Sequence, residues 1–117
     1  MSPIRDNTWV RIAVFHPRVR DEVRTWPKAV RLALGEAIYA LQQGVAIGMP
    51  LARPMPSVAP GASELRIRDS AGQFRVFYLV RSSSGVLVFH AFIKKTQQTP
   101  QHEIALGRRR LKDMIND

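Results

Sequence analysis

The sequence predicts a small α+β domain in which helices pack on an antiparallel sheet. Two segments with helical apolar spacing precede a stretch rich in proline and glycine, and three strand-like segments and a last helix follow it. The expected order is β-α-α-β-β-β-α, with the two N-terminal helices on one face of the sheet and the other face partly open. The length of 117 residues suits one modest core, so a single domain over 1–117 is expected.

The N-terminal half supplies one strand, two helices and a loop. Loose alternation predicts the strand over 9–15, and a proline suits the first position of a short helix over 17–25. A longer helix over 27–43 has apolar residues on one face, at Val30, Leu34, Ala37, Ile38 and Leu41. The prolines and glycines of 44–63 predict a loop, with Gly44 just after the helix end.

The C-terminal half supplies three strands and a helix. The strands cover roughly 63–68, 73–80 and 86–95 and are joined by short turns at 69–72 and 82–85, so they are antiparallel. Thr99 and Pro100 suit the N-cap and the first position of a helix that reaches about Ile115. Gly107, on the apolar side of this helix, permits a close approach to its neighbour.

Composition excludes several classes of function. The chain has no cysteine, which excludes disulfides, thiolate metal sites and cysteine nucleophiles. His16, His90 and His102 lack metal-ligand spacing, and glycine motifs for phosphates or dinucleotides are missing. Because no apolar run reaches the length of a membrane span, a cytoplasmic protein without a membrane or metal partner is expected. The net charge of +9 favours an anionic partner such as nucleic acid.

Basic residues on the strands predict a phosphate-binding surface. Alternate side chains of a strand share a face, so Glu64, Arg66 and Arg68 point the same way. Arg75 lies in a strand that is apolar on both faces, which indicates a central strand, and an arginine buried there needs a partner. That partner is either Glu64, in a structural ion pair, or a phosphate of a bound ligand.

The last strand contains a histidine and ends in two lysines. Strict alternation places Val88, His90 and Lys94 on one face and Lys95 on the other, and which lysine points toward Arg75 stays open. A solvated strand end is the simpler interpretation of a lysine pair. His90 is either a hydrogen-bonded core residue or a general acid or base, since the pKa of histidine lies near neutral pH.

Four sequence blocks carry a resemblance to known toxins. They are ELRIRD at 64–69, FRVFY at 74–78, HAFIKKTQQTP at 90–100 and EIALGRRRL at 103–111. With these blocks the chain resembles the phage-derived, HigB-like branch of the RelE/ParE toxin superfamily. The resemblance implies a compact toxin of a type II toxin–antitoxin system, encoded beside a helix-turn-helix antitoxin. RelE and HigB members cleave mRNA on the translating ribosome without a metal, whereas ParE members poison DNA gyrase.

The resemblance also implies roles for particular residues. Arg75 matches the arginine that these toxins place against the scissile phosphate, and Arg66 and Arg68 match basic positions on the preceding strand. Lys94 or Lys95 matches the basic residue that ends the last strand.

The expected function is therefore that of a toxin that acts as a metal-independent, ribosome-associated mRNA endonuclease with no cofactor. The candidate catalytic residues are Arg75, Arg66, Lys95, Lys94, Glu64 and His90, and the candidates for RNA contact are Arg68, Arg81, Arg108 and Lys112. The alternatives are a gyrase inhibitor of the ParE type and a non-catalytic, phage-derived nucleic-acid-binding protein. Glu64 stands where some RelE-type members have a basic residue, and 114–117 lack the tyrosine of some members, so the general base stays open.

Overall fold

The computed structural model describes residues 10–81 and 85–116. Its elements, in chain order, are β1 Ala13–Phe15, α1 Pro17–Val23, α2 Lys28–Gln42, β2 Ala52–Pro54, β3 Ser63–Asp69, β4 Gly72–Arg81, β5 Gly85–Lys94 and α3 Gln101–Ile115. The predicted α+β class is confirmed, although β1 is shorter than expected. Trp9 of the predicted first strand and residues 82–84 of the predicted second turn lie outside the described residues.

The sheet has five strands in the order β1-β5-β4-β3-β2 and is mixed rather than antiparallel. β1 pairs in parallel with β5, with Ala13 opposite Val86 and Phe15 opposite Val88, and the other neighbours are antiparallel. The prediction of an antiparallel sheet is therefore wrong at this edge. β1 pairs with a strand far along the chain, and the periodicity of one segment does not identify so distant a partner.

Strand β2 lies in the segment that was predicted to be a loop. Ala52 pairs with Leu65 and Pro54 pairs with Ser63, at the outer edge of the sheet. Proline is tolerated in an edge strand because its missing N–H is not needed by a second neighbour. The loop prediction is wrong over these three residues because composition rich in proline and glycine outweighed a strand pattern too short to detect.

Helices cover both faces of the sheet. On one face, α1 and α2 cover the apolar residues of β3 and β4 that point toward them, Leu65, Ile67, Phe74, Val76 and Tyr78. On the other face, α3 packs through Ile104 and Leu111 on an aromatic cluster of Phe77, Phe89 and Phe92. The prediction of a partly open face is wrong where α3 lies, whereas the prediction that β4 is central and covered on both sides is confirmed.

A bulge in β5 changes which of its side chains face α3 and which face α1 and α2. Phe77 lies opposite His90 but Tyr78 lies opposite Val88, so Phe89 has no partner of its own on β4. Val88 therefore packs with α1 and α2, whereas His90 contacts Phe77 on the α3 side, with the two rings tilted by 46°. The expectation that Val88 and His90 share a face is wrong for this reason.

The start of α3 differs from the prediction by one residue. Pro100 occupies the N-cap, without a side-chain cap, and the Thr99 hydroxyl donates instead to Oε2 of the buried Glu64 at 3.4 Å. The close approach expected at Gly107 is confirmed, because a Cβ built there would lie 2.8 Å from Cδ2 of Phe77. None of the helices in the described ranges combines the length and the apolar character needed to cross a bilayer.

Candidate nucleic-acid interface

A basic cavity of about 400 Å³ lies beside β3 and β4. Its lining residues are Pro50, Leu51, Arg66, Arg68 and Arg75, so three of the five are arginines and none is acidic. We call it the arginine cavity. Cations gathered in a concave surface attract anions more strongly than the same cations spread over a convex one.

Strand register brings the basic side chains of this region together. Arg66 lies directly opposite Arg75, while Arg68 and Lys94 both lie opposite Gln73, one on each side of β4. Directly opposed residues of an antiparallel pair have Cβ atoms about 5 Å apart on the same face. The four cations therefore share the α3 side of three neighbouring strands.

Arg75 is held firmly at the centre of this group. Its Nη2 donates to Oε1 of Gln73 at 2.8 Å, and its Nη1 donates to the carbonyl of Phe74 at 3.4 Å. Burial lowers the pKa of Arg75, the carboxylate of Glu64 opposes this change, and the charge of Arg66 adds to it. A guanidinium has five N–H donors, so these contacts fix its direction and leave donors for a ligand.

Glu64 is the buried counter-ion of the arginines. Its carboxylate is fully buried, and its Oε1 lies 3.4 Å from Nε of Arg53 and 3.7 Å from Nε of Arg75. The ion pair that the sequence offered as one partner for Arg75 is therefore present. Glu64 does not line the arginine cavity and supports Arg75 from behind.

One guanidinium nitrogen beside the cavity lacks a protein acceptor. Within the ranges that the structure describes, Nε of Arg66 is buried and makes no hydrogen bond, whereas Nε of Arg75 lies 3.7 Å from Oε1 of Glu64. Buried polar groups in native proteins are nearly always hydrogen-bonded. The free Nε of Arg66, together with the unused Nη donors of Arg75, suits a ligand with several acceptor oxygens, such as a phosphodiester.

The two lysines at the end of β5 lie on different sides of the strand. The Nζ of Lys94 donates to the carbonyl of Gln97, and Lys94 shares the face of Arg75. Partial burial lowers the pKa of Lys94, and the charge of Arg75 lowers it further. Lys95 lines a different cavity, together with His90. The lysine beside the arginines is therefore Lys94.

A comparison with known protein families agrees with this arrangement. The family model described as phage derived protein Gp49-like (DUF891) matches residues 21–112, which is most of the chain. The chain belongs to the Gp49-like family. This is a phage-derived, RelE/HigB-type toxin family of toxin–antitoxin systems, which indicates an antitoxin as a partner. No curated protein and no solved structure matches the chain at a significant level.

In this Gp49-like toxin His90 is fixed by hydrogen bonds on both ring nitrogens. Its Nδ1 accepts from Nη1 of Arg110 at 2.9 Å, and its Nε2 lies 2.7 Å from Oε1 of Glu103. A guanidinium only donates, so the ring is neutral and carries its proton on Nε2, which donates to Glu103. Burial lowers the pKa of His90, and the bond to Glu103 opposes this change. These contacts favour a hydrogen-bonded core residue over an acid or base.

The remaining candidates for RNA contact lie away from the arginine cavity. Arg81 pairs with Gly85 at the far end of β4, Arg108 donates to the carbonyl of Ser57, and Lys112 is exposed on α3. The structure brings together Arg66, Arg68, Arg75 and Lys94, with Glu64 behind them. Five candidates lie outside this group, namely His90, Lys95, Arg81, Arg108 and Lys112.

Two residues around the Glu64–Arg75 pair were not found from the sequence, one that bonds Arg75 and one that contacts Glu64. Gln73 is two residues from Arg75 on the same strand, so alternation alone places both on one face and was a usable signal. Arg53 lies in β2, whose strand character was missed, and no sequence signal pointed to its contact with Glu64. In the described part of the chain, no group of three or more His, Cys, Asp or Glu side chains is arranged to hold a metal.

Proposed function

We propose that this Gp49-like toxin is a metal-independent endoribonuclease that cleaves mRNA on the ribosome. The observation that carries the proposal is the arginine cavity, where Arg66, Arg68 and Arg75 converge without an acidic lining residue and Lys94 lies alongside. The ribosome as the place of action rests on the resemblance to RelE and HigB toxins.

In this proposal Arg66 and Arg75 hold the non-bridging oxygens of the phosphate that is cleaved. A planar guanidinium can make two parallel hydrogen bonds to such oxygens. Negative charge develops on these oxygens as the ribose 2′-oxygen attacks phosphorus, and fixed cations stabilise that charge without reorganising. The bond between phosphorus and the 5′-oxygen then breaks, and the departing 5′-oxygen takes a proton from solvent water, which leaves a 2′,3′-cyclic phosphate and a 5′-hydroxyl. The contacts of Arg75 with Gln73 and Glu64 support this role, since they hold its side chain in place before substrate binds.

Lys94 is the candidate for the base that removes the proton of the ribose 2′-OH. A lysine accepts a proton only as the neutral amine, and the lowered pKa of Lys94 increases the neutral fraction. Its cross-strand position beside Gln73 keeps it next to the phosphate that Arg75 would hold. Glu64 is fully buried behind Arg75, so we assign it a positioning role rather than the role of base.

We also infer that the antitoxin is a helix-turn-helix protein that neutralises the toxin by covering the basic face. The cations of the arginine cavity would attract an acidic segment for the same reason that they attract RNA.

The proposal is tested by expressing the chain from a tightly repressed promoter and mapping the 5′ ends of a reporter mRNA by primer extension. Arg75→Ala is the test variant. Arg81→Ala is the matched control, because Arg81 is an arginine on the same strand outside the arginine cavity. Growth arrest with discrete new 5′ ends in the wild type and Arg81→Ala, and their loss in Arg75→Ala, is expected. A loss of about 10²–10³ in cleavage rate corresponds to one missing donor to a developing oxyanion.

Other outcomes contradict the proposal in different ways. Arrest without new 5′ ends, accompanied by DNA breaks, favours a gyrase inhibitor. Absence of arrest from a folded protein favours a nucleic-acid-binding module, whose binding falls steeply with salt. Cleavage of purified mRNA with equal rates in the presence and absence of ribosomes contradicts the ribosome-dependent part alone.

A further inference from the structure

A second cavity, of about 490 Å³, lies between α1 and α3 beside β5, and we call it the α1–α3 cavity. Its charged lining residues are Arg18, Asp21, Glu22, Lys95, Glu103 and Arg110. Because the ring of His90 is neutral, these three cations and three carboxylates give the lining a net charge of zero. The arginine cavity, by contrast, is lined by three cations and no acid. The two cavities are therefore suited to different chemical groups.

The inner wall of the α1–α3 cavity is preformed. His90 is 2% exposed, is bonded on its two ring nitrogens to Glu103 and Arg110, and stacks on Phe92 with ring centroids 5.4 Å apart. All four of these side chains line the cavity. The buried rings keep the polar groups of Glu103 and Arg110 in place, and a few fixed polar groups in a preformed cavity are typical of small-ligand sites.

Donors and acceptors remain available beside this wall. Arg110 uses one of its five N–H donors in the hydrogen bond to His90 and has four left. Oε2 of Glu22 accepts from Nε1 of Trp26 at 3.0 Å, which leaves Oε1 for other contacts. Arg18 and Asp21 add a guanidinium and a carboxylate at the exposed mouth of the cavity. Guanidinium donors and carboxylate acceptors therefore lie side by side.

We propose that the α1–α3 cavity binds a nucleobase of the RNA whose backbone lies in the arginine cavity, an inference that rests on the proposed function. A nucleobase is uncharged and planar and presents donors and acceptors along one edge. It matches a lining that contains both guanidinium donors and carboxylate acceptors. A phosphate would meet as many carboxylates as cations in the same place and would gain little.

The positions of the two cavities suit a single strand of RNA. Phe92 lines the α1–α3 cavity and lies directly opposite Arg75 on β4. Lys94 and Lys95 are consecutive residues that face the arginines and the α1–α3 cavity respectively. Because Arg75 and Phe92 lie on neighbouring strands, an RNA segment held by Arg75 can extend across β5 and place a base in the second cavity. Single-stranded RNA is commonly read by hydrogen bonds to the edges of its bases.

The test uses the full chain with Arg75→Ala, titrated with each of the four ribonucleosides and, separately, with ribose 5-phosphate. The ring resonances of His90 are followed by NMR because His90 lines the cavity. A saturable shift with at least one nucleoside and none with ribose 5-phosphate is expected. Arg18→Ala and Asp21→Asn should each weaken this binding about tenfold, the effect of one lost charged hydrogen bond. Arg20→Ala should not, since Arg20 is on the same helix but lines a different cavity.

Absence of any nucleoside-dependent shift, or an equal shift with ribose 5-phosphate, overturns the nucleobase site. A shift that Arg18→Ala and Asp21→Asn leave unchanged also overturns it. The titration involves no cleavage, so its outcome is separate from that of the proposed nuclease activity. A protein that binds a nucleoside here but cuts no RNA would refute the nuclease and retain the base site.

Discussion

Oε1 of Glu64 lies 3.7 Å from Nε of Arg75, and both side chains are buried, Arg75 in the wall of the arginine cavity. The same carboxylate oxygen lies 3.4 Å from Nε of Arg53. One acid therefore balances arginines on two strands that flank its own. Removing one partner of a buried ion pair leaves an uncompensated buried charge. This destabilises the fold more than replacing both partners with apolar residues does.

Glu64→Gln should lower the free energy of unfolding by about 3 kcal/mol, because it leaves Arg53 and Arg75 without their counter-charge. Urea denaturation followed by circular dichroism measures the change. Glu36→Gln, at an exposed position on α2, is the control and should change stability by less than about 0.5 kcal/mol. If Glu64→Gln were as mild as this control, Glu64 would not be the buried counter-ion.

The lysines at the end of β5 give a second prediction. The lowered pKa of Lys94 means that cleavage rate should rise with pH and level off below the 10.5 of an ordinary lysine, because the neutral amine is the active form. Lys94→Ala should remove this inflection and most of the activity, whereas Lys95→Ala should keep the inflection. Single-turnover cleavage rates across pH, with ribosomes present, measure both effects. An unchanged pH profile in Lys94→Ala would exclude Lys94 as the base.

Much of the candidate site followed from the alternation of strand residues, and the rest depended on long-range pairing. Alternation alone placed Glu64, Arg66 and Arg68 on one face and marked Arg75 as a buried arginine that needs a partner. It did not identify Arg53, since that contact requires a strand whose three residues carry too little pattern to detect.

The bulge in β5 shows why alternation fails locally. An extra residue at Phe89 changes which side chains share a face. Val88 and His90 therefore point to opposite faces of the sheet, while His90 and Lys94 point to the same face. A bulge is set by how two strands pair and twist, and a single strand's sequence does not reveal it. The contacts of His90 with Glu103 and Arg110 also depend on how α3 docks, which the composition of the helix does not determine.

His90 gives a prediction about stability and pH. Its pKa in the folded protein lies below the ordinary 6.5, mainly because of burial, with Arg110 also lowering it and Glu103 and Glu22 raising it. The unfolded chain therefore binds a proton at a higher pH than the folded one. Stability should fall as pH drops below about 6.5 and level off below the folded pKa, with a slope of at most about 1.4 kcal/mol per pH unit from this group.

Comparison of variants isolates this contribution from that of the carboxylates. His90→Gln should lower stability at pH 8, because it removes the ring from the cluster, but should flatten the decline between pH 6.5 and 5. His102→Gln is the control, since the side chain of His102 is three-quarters exposed. Thermal or urea unfolding at a series of pH values measures the slopes. Equal slopes in wild type and His90→Gln would show that His90 does not titrate with a shifted pKa.

Two helical glycines provide a matched test of the packing beneath the site. A Cβ on Gly107 would lie 2.8 Å from Cδ2 and 3.0 Å from Cε2 of Phe77, and Phe77 is fully buried against Phe89 and Phe92. Because that ring has little room to move, the clash should outweigh the gain in helix propensity. Gly107→Ala should therefore lose about 1–2 kcal/mol of unfolding free energy.

Around Gly35, on α2, the described residues place no atom within 4 Å of an added Cβ, apart from the backbone of α2 itself and the adjacent residues. Gly35→Ala should gain about 0.5–1 kcal/mol, since alanine loses less backbone freedom than glycine when a helix forms. The same substitution thus has opposite signs in the two helices, and urea denaturation of both variants measures the difference. A stabilising Gly107→Ala would mean that α3 can move away from β4, and the hydrogen bond from Arg110 to His90 would then be free to open.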